Sequence, residues 1–238
     1  MEIFAIKILD ISQEKLENIC LLIDKEKRNR IRQFRHKEDK IRTMIAEILL
    51  RTKIIEKFDI SNNYIMFKKN IYGKPYLEGK PNFNFNISDS GDFVICVIDD
   101  KTIGVDIEKV RHIEYKEIAK SFFSVSEFDY IEKKQLNIQL DKFYEIWTLK
   151  ESYIKCCGQG LSIPLDSFSI ETDRYENIKA IANHEYKEHI FMRFDIEPDY
   201  KMAVCSLNKE ISKNIMIIDQ NSLIRDFFNL LKREVNCI

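Results

Sequence analysis

A chain of 238 residues, 45% hydrophobic and 32% charged, has the balance of a folded globular protein and the length for a sizeable core. Its formal net charge of −1 gives no global pull toward nucleic acid or an anionic membrane. No apolar run approaches the roughly 18 residues of a membrane-spanning helix, and Met1-Glu2-Ile3-Phe4 lacks the basic and apolar regions of a secretory leader.

In chain order, a strand is expected over Ile3–Leu9, then a Lys/Arg-rich helical stretch from about Gln13 to Arg35. A second helix is predicted from Lys37 to Phe58, with Ile41, Met44, Ile45, Ile48, Leu49 and Ile55 near helical spacing. Short β segments follow at Tyr64–Lys68, Phe83–Ile87, Phe93–Ile98 and Ile103–Glu108, with a turn at Asp99-Asp100. Helical patterns return over Tyr115–Phe123, Ser126–Lys134 and Leu140–Cys157, and Gly158, Gly160 and Pro164 mark a helix stop and a loop. Strands are then expected at Ser167–Glu171, His189–Phe194 and Lys201–Ser206, and an amphipathic helix over Ser222–Val235. Helices mixed with short antiparallel strands, in an element order that the second half repeats, argue an α+β fold of two similar lobes.

The six cysteines, at 20, 96, 156, 157, 205 and 237, show neither C-x-x-C spacing nor a disulfide rhythm, and those in apolar runs read as small buried hydrophobes. With only four histidines a zinc site is not expected, and a reducing, cytoplasmic location is.

Two clusters carry the chemistry. In Gly104-Val105-Asp106-Ile107-Glu108-Lys109, strand alternation places Asp106 and Glu108 on one face, opposite apolar Ile103, Val105 and Ile107. In Trp147-Thr148-Leu149-Lys150-Glu151-Ser152-Tyr153-Ile154-Lys155, helical spacing stacks Trp147, Glu151 and Lys155. Three carboxylates and an ammonium suit a divalent cation with a polyphosphate, since Mg²⁺ takes oxygen ligands, usually one or two protein carboxylates plus phosphate oxygens. The plain alternatives are a strand end rising into solvent and an ordinary i,i+4 ion pair. The basic run from Lys25 to Lys37 is either a solvated helix surface or an anion site, and Tyr72-Gly73-Lys74-Pro75 offers a turn with a cation. Neither a P-loop nor a G-x-G-x-x-G is present.

Taken in order, Phe34…Lys37-Glu38-Asp39, Tyr72-Gly73-Lys74-Pro75, Phe83-Asn84-Phe85-Asn86-Ile87-Ser88, Gly104–Glu108 and Trp147…Lys150-Glu151-Ser152…Lys155 resemble the 4′-phosphopantetheinyl transferases. More narrowly they resemble the surfactin-synthetase-activating (Sfp-type) group, and Phe122-Phe123-Ser124…Glu127 and Tyr200–Cys205 extend the likeness over nearly the whole chain. The resemblance implies two pseudo-symmetric α+β lobes with the active site in the cleft between them. Residues 1–102 would form an N-terminal lobe for the adenosine and phosphates of coenzyme A, and 103–238 a C-terminal lobe for Mg²⁺ and catalysis. It implies Mg²⁺-dependent transfer of the 4′-phosphopantetheine arm of coenzyme A to a serine hydroxyl of an acyl or peptidyl carrier protein, releasing adenosine 3′,5′-bisphosphate.

By the same resemblance Asp106, Glu108 and Glu151 would hold Mg²⁺, and Asp106 and Lys155 would face the pyrophosphate. Glu151 is the general-base candidate, directly or through a metal-bound water, and Lys155 the second catalytic residue. Lys27, Arg30 and Lys69 would contact phosphate. Gly73, Lys74 and Pro75 would line the adenine pocket, and Ser88 would help hold phosphate. The sequence departs from the family at Asp89, where a histidine that meets the 3′-phosphate is usual; an aspartate repels phosphate unless it turns away or is paired. The carrier is expected near Arg111–Ser124 and after Gly158. Neither nucleic acid nor a membrane is an expected partner, and a monomer is expected. A non-catalytic coenzyme A or carrier-binding relative is the rival reading, with Asp89 its only support.

Overall fold

The computed structural model describes residues 1–173 and 177–236, with side chains described through Arg233; Cys237 lies outside the described residues. The chain opens with β1 (Glu2–Lys7), α1 (Gln13–Cys20), α2 (Lys25–Gln33) and α3 (Lys37–Phe58). Next come β2 (Phe67–Lys69), β3 (Pro75–Leu77), β4 (Asn84–Ser90), β5 (Phe93–Asp99) and β6 (Ile103–Lys109). Three helices follow, α4 (Tyr115–Phe122), α5 (Val125–Glu132) and α6 (Leu136–Cys157). The chain closes with β7 (Phe168–Thr172), β8 (Ile178–Ala182), β9 (Glu185–Tyr186), β10 (Ile190–Phe194), β11 (Tyr200–Ser206), β12 (Ile215–Ile217) and α7 (Gln220–Asn236). The fold class is α+β, as the pattern of the sequence predicts.

Contacts group the chain into two compact units, and the division does not fall at the expected 102/103 boundary. One unit holds residues 67–91 and 97–214 with the first two residues; the other holds 3–66, 92–96 and the segment from 215 onward. Each unit gathers distant chain segments because strands pair across the sequence: β1 lies parallel to β12, Ile3 opposite Ile215.

In the unit containing β1, α3 supplies much of the core through Ile41, Met44, Ile45, Ile48, Leu49 and Ile54, all at most 2% exposed. The expected single helix over Gln13–Arg35 is two helices. Arg28 folds back from α2 and donates to the carbonyls of Cys20, Leu21 and Ile23 at 2.9, 3.0 and 3.1 Å, satisfying orphan acceptors at the end of α1. The predicted strand at Tyr64–Lys68 begins later, at Phe67, because Asn62–Tyr64 form a 3₁₀ turn.

In the unit that carries the two chemical clusters, the central sheet has the order β10-β11-β6, antiparallel throughout. Asp106 lies opposite Ala203 and Glu108 opposite Lys201. A third sheet, β7-β8-β9, and the β2-β3 hairpin complete this unit. Leu149, Tyr153, Ile154 and Cys156 of α6 join Phe168, Ala180, Ala203 and Cys205 in one apolar cluster. Among the described residues no helix is long and apolar enough to cross a membrane.

Candidate functional site

The site is built on β6, held from three directions. Along one edge β6 pairs with β11. Along the other its amides are met by side chains instead of a backbone ladder. Val105 N donates to Asn86 Oδ1 (2.9 Å), Ile107 N to Ser88 Oγ (3.3 Å) and Lys109 N to Ser90 Oγ (3.0 Å). The Asn86-Ile87-Ser88-Asp89-Ser90 run alternates because every second side chain of β4 must reach a β6 amide that would otherwise be an unpaired buried donor.

The third direction is α6, which presses on β6 at Gly104. A Cβ there would stand 2.1 Å from the Ser152 carbonyl oxygen and 2.4 Å from the Cys156 amide nitrogen, so only glycine permits this approach. The closeness brings strand and helix side chains into bonding range. Lys155 Nζ lies 2.5 Å from Asp106 Oδ1 and 3.1 Å from Ser88 Oγ, and Ser88 donates to the same carboxylate oxygen at 3.0 Å. Ser90 donates to Glu108 at 2.8 Å.

Asp106 is 3% exposed, and its second oxygen, Oδ2, is buried with no hydrogen-bond partner. Burial pushes the Asp106 carboxyl up, against the opposing pull of Lys155 and Ser88. Burial and then the Asp106 charge raise Glu108 to about 7 and push Glu151 up as well. Burial alone would lower Lys155, yet the attraction of Asp106 outweighs it and the ammonium is held above its ordinary range. Acidic groups thus crowd one ammonium and leave a buried oxygen unserved, an arrangement short of positive charge. Among the described residues, no three His, Cys, Asp or Glu side chains stand ready-made around a metal ion.

The other expected residues are placed as follows. Ser88 is spent on Asp106, Lys155 and the β6 backbone, so it builds the acidic site. Lys74 turns its ammonium to the backbone carbonyls of Lys155 and Cys156 at the end of α6 and of Ile103 at the start of β6, not to open solvent. Lys74 and Pro75 line a recess of about 190 Å³ together with Tyr76, Phe83, Phe85 and Gly158. Gly73, at φ +93°, is the turn residue ahead of them. Lys69 and Asp89 are exposed, and strand alternation puts Asp89 on the face opposite Ser88 and Ser90. Lys27 and Arg30 lie on α2 in the other unit; Lys27 pairs with Glu47 at 3.3 Å and Arg30 is exposed. Trp147 stacks on Phe143 with centroids 5.8 Å apart, which makes it a packing residue of α6.

Sequence reading gave no role to Asn70 or Asn86, and none to the partnership of Lys150 with Glu127. Lys150 is 0% exposed and donates to both Glu127 oxygens at 2.8 and 2.7 Å and to the Phe168 carbonyl at 2.7 Å. The period-two Asn-x-Ser-x-Ser spacing was the available signal for the side-chain ladder.

Comparison with known proteins bears on what such a site serves. A sequence profile described as "4'-phosphopantetheinyl transferase superfamily" matches residues 102–205, and one described as "4'-phosphopantetheinyl transferase, N-terminal" matches residues 10–100. The 4'-phosphopantetheinyl transferase Sfp of Bacillus subtilis (strain 168) is 38% identical over 214 residues, covering 90% of this chain and 95% of that protein. The 4'-phosphopantetheinyl transferase gsp of Aneurinibacillus migulanus is 35% identical, covering 80% of this chain and 78% of its own. A solved holo-(acyl-carrier-protein) synthase from Bacillus anthracis str. Ames aligns with a TM-score of 0.38 at 17% identity, over 44% of this chain and 93% of that one, too distant to add weight. The chain therefore belongs to the 4′-phosphopantetheinyl transferase superfamily, and within it to the Sfp type. It is an enzyme, one that transfers phosphopantetheine to carrier proteins.

Proposed function

We propose that this enzyme moves the 4′-phosphopantetheine group of coenzyme A to a serine hydroxyl of a carrier domain, with Mg²⁺ required and adenosine 3′,5′-bisphosphate released. The observation that carries the reading is the unpartnered, buried Asp106 Oδ2 in a carboxylate group whose other oxygen is met by Lys155. Such a group gains from a dication. Asp106, Glu108 and Glu151 are the residues that would hold it, substrate phosphate and water supplying further oxygens. When bound, Mg²⁺ supplies Lewis-acid neutralisation of the pyrophosphate charge.

The remaining work falls to the protein's own side chains. The serine oxygen forms a bond to the β-phosphorus while the bond to the bridging oxygen of the pyrophosphate breaks. The electron pair leaves on the phosphate of adenosine 3′,5′-bisphosphate. Glu151, its carboxyl raised by burial and by Asp106, takes the serine proton. Lys155 stays charged beside Asp106 and neutralises the leaving phosphate. The recess bounded by Pro75, Tyr76, Phe83 and Phe85 offers apolar and aromatic surface to adenine. Lys69 remains a phosphate candidate by virtue of its exposed end of β2, and Lys27 and Arg30 as exposed or half-buried cations of α2.

The carrier would meet α4, where Phe122 is 45% exposed beside lysines 116 and 120. A reducing cytoplasm suits the five free thiols of the described residues, and the protein is expected to act as a monomer. The test incubates the protein with Mg²⁺, coenzyme A and an apo carrier and weighs the carrier. One added phosphopantetheine is expected with wild type and none with Glu151→Gln or with chelator; an unmodified carrier with wild type across a panel of peptidyl and acyl carriers overturns the reading.

A further inference from the structure

We propose that the turn Asn70–Lys74 is a clamp on the C-terminal end of α6, and that Lys74 is a positioning residue for Lys155. The last carbonyls of a helix have no partner within it. In α6 the ammonium of Lys74 takes that role, donating to the carbonyl of Lys155 at 2.7 Å and to that of Cys156 at 3.3 Å. Its remaining donor goes to the carbonyl of Ile103 at 3.0 Å. An ammonium has three donors and no more. Its capacity is therefore consumed by backbone, and its charge sits at the negative end of the helix dipole, where a cation is favoured.

The choice of acceptors gives the contact its meaning. Ile103 begins the strand that bears Asp106; Lys155 bears the ammonium that meets Asp106. One buried amine thus ties the start of that strand to the last turn of that helix, at the seam where Gly104 lets the two backbones touch.

The turn is shaped to deliver this amine. Asn70 Oδ1 accepts from the amides of Tyr72 and Lys74, both at 2.9 Å, and Gly73 N donates to the Asn70 carbonyl at 3.0 Å. Gly73 adopts φ +93°, which a side chain would resist. Asn70 Nδ2 then donates to the Gly158 carbonyl at 2.8 Å, a second hold on the same helix end. Gly158 itself has φ +71°, and a Cβ there would stand 2.9 Å from Lys74 Cδ. The Asn-x-x-Gly-Lys spacing and the glycine after α6 are two halves of one joint. Burial lowers the Lys74 ammonium from its ordinary range, in keeping with a group whose task is geometric.

The inference rests on the catalytic role given above to Lys155, and the experiment separates the two. Lys74→Met and Lys74→Arg are compared with wild type by hydrogen exchange, by coenzyme A titration calorimetry and by transfer kinetics. In Lys74→Met the amides of the last turn of α6 are expected to exchange about tenfold faster, and kcat to fall about tenfold or more through misplacement of Lys155. The Kd for coenzyme A should change by less than kcat does, and Lys74→Arg, which keeps a cation and several donors, should regain part of the lost kcat. A rise in coenzyme A Kd with kcat and exchange unchanged would overturn the proposal and assign the amine to the ligand; a lowered Tm with kcat intact would also overturn it, leaving a merely structural lysine. Should Lys74→Met fail to fold, Asn70→Ser, which removes the Gly158 hold, is read by the same three measurements. If wild type transfers nothing, the transferase reading fails, while the exchange comparison still decides whether the clamp exists.

Discussion

Two lysines on α6, Lys150 and Lys155, each meet a carboxylate, and the two pairs are built to opposite ends. Lys150 is 0% exposed, and every donor it has is used: two on Glu127 and one on the Phe168 carbonyl. Its partner is equally committed, because Glu127 also accepts from Ile170 N at 2.7 Å and closes the capping box of α5 with Ser124. The Lys155 side chain keeps 28% of its surface open, and its partner Asp106 retains a buried oxygen that nothing serves. A satisfied pair fixes helices in place; an unsatisfied one holds electrostatic capacity for something that arrives. Charge and spacing alone do not separate these roles, whereas the tally of unfilled hydrogen-bond positions does.

The largest effect follows from breaking the closed pair. Lys150→Met leaves Glu127 as a buried, uncompensated charge, and the expected loss is about 3–5 kcal/mol of stability. Denaturant unfolding of Lys150→Met should show a large drop in midpoint, and the double variant Lys150→Met/Glu127→Gln, which removes the charge but keeps an acceptor for Ile170 N, should recover much of it. A single variant as stable as wild type would mean that the pair is not the anchor its geometry implies. The next effect comes from the seam that joins strand and helix. Gly104→Ala meets backbone, which cannot swing aside, so about 1–3 kcal/mol of overpacking strain is expected. Transfer activity should fall further than stability does, since the Asp106–Lys155 distance depends on that approach; retained kcat would show that the seam can open without cost to the site.

The open pair should respond in the reverse sense. Asp106→Asn keeps the shape and the contact with Ser88 but removes a charge that burial disfavours. Thermal unfolding of the metal-free protein is expected to change by no more than about 1 kcal/mol, or to rise, while kcat falls by about a hundredfold or more. A variant that unfolds as readily as Lys150→Met would erase the distinction between the two pairs.

Much of the fold is legible in the sequence. Helix α3 follows its apolar period from Lys37 to Phe58, and β6 follows the alternation that set Asp106 and Glu108 on one side. The sequence pattern starts α6 only at Leu140, because the first turn exposes Leu136 and Ile138 and so carries no buried stripe. β3 and β8 were missed for a related reason: short strands whose partners lie next to them carry too few alternations to stand out. At the site, residue types announced acid and base but not commitment. Ser88 reads as a phosphate contact and Lys74 as part of an adenine pocket, and only tertiary contacts show that the Ser88 hydroxyl goes to Asp106 and the Lys74 ammonium to carbonyls. Asn86 and Ser90 carried their signal in a spacing of two, which gains meaning once β6 is known to need donors satisfied along that edge.

The smallest expected effect concerns Asp89, where the family resemblance leads one to expect a histidine. Strand alternation carries its side chain away from the face on which Ser88 and Ser90 hold Asp106 and Glu108, and it is exposed there. An exposed charge contact is worth about 0.2–1 kcal/mol, so exchanging the aspartate alters affinity for a nearby phosphate by only about two- to fivefold. Asp89→His replaces a repelling charge with a donor, and the ratio of kcat/KM for coenzyme A over 3′-dephospho-coenzyme A should rise by that factor. The gain should shrink as salt is added, because a screened surface contact cannot persist at short Debye length. kcat with saturating coenzyme A should stay as it was, since neither Asp106 nor Lys155 is touched. An unchanged ratio in Asp89→His would place the 3′-phosphate out of reach of this strand face and return the task of holding it to lysines and arginines elsewhere in the chain.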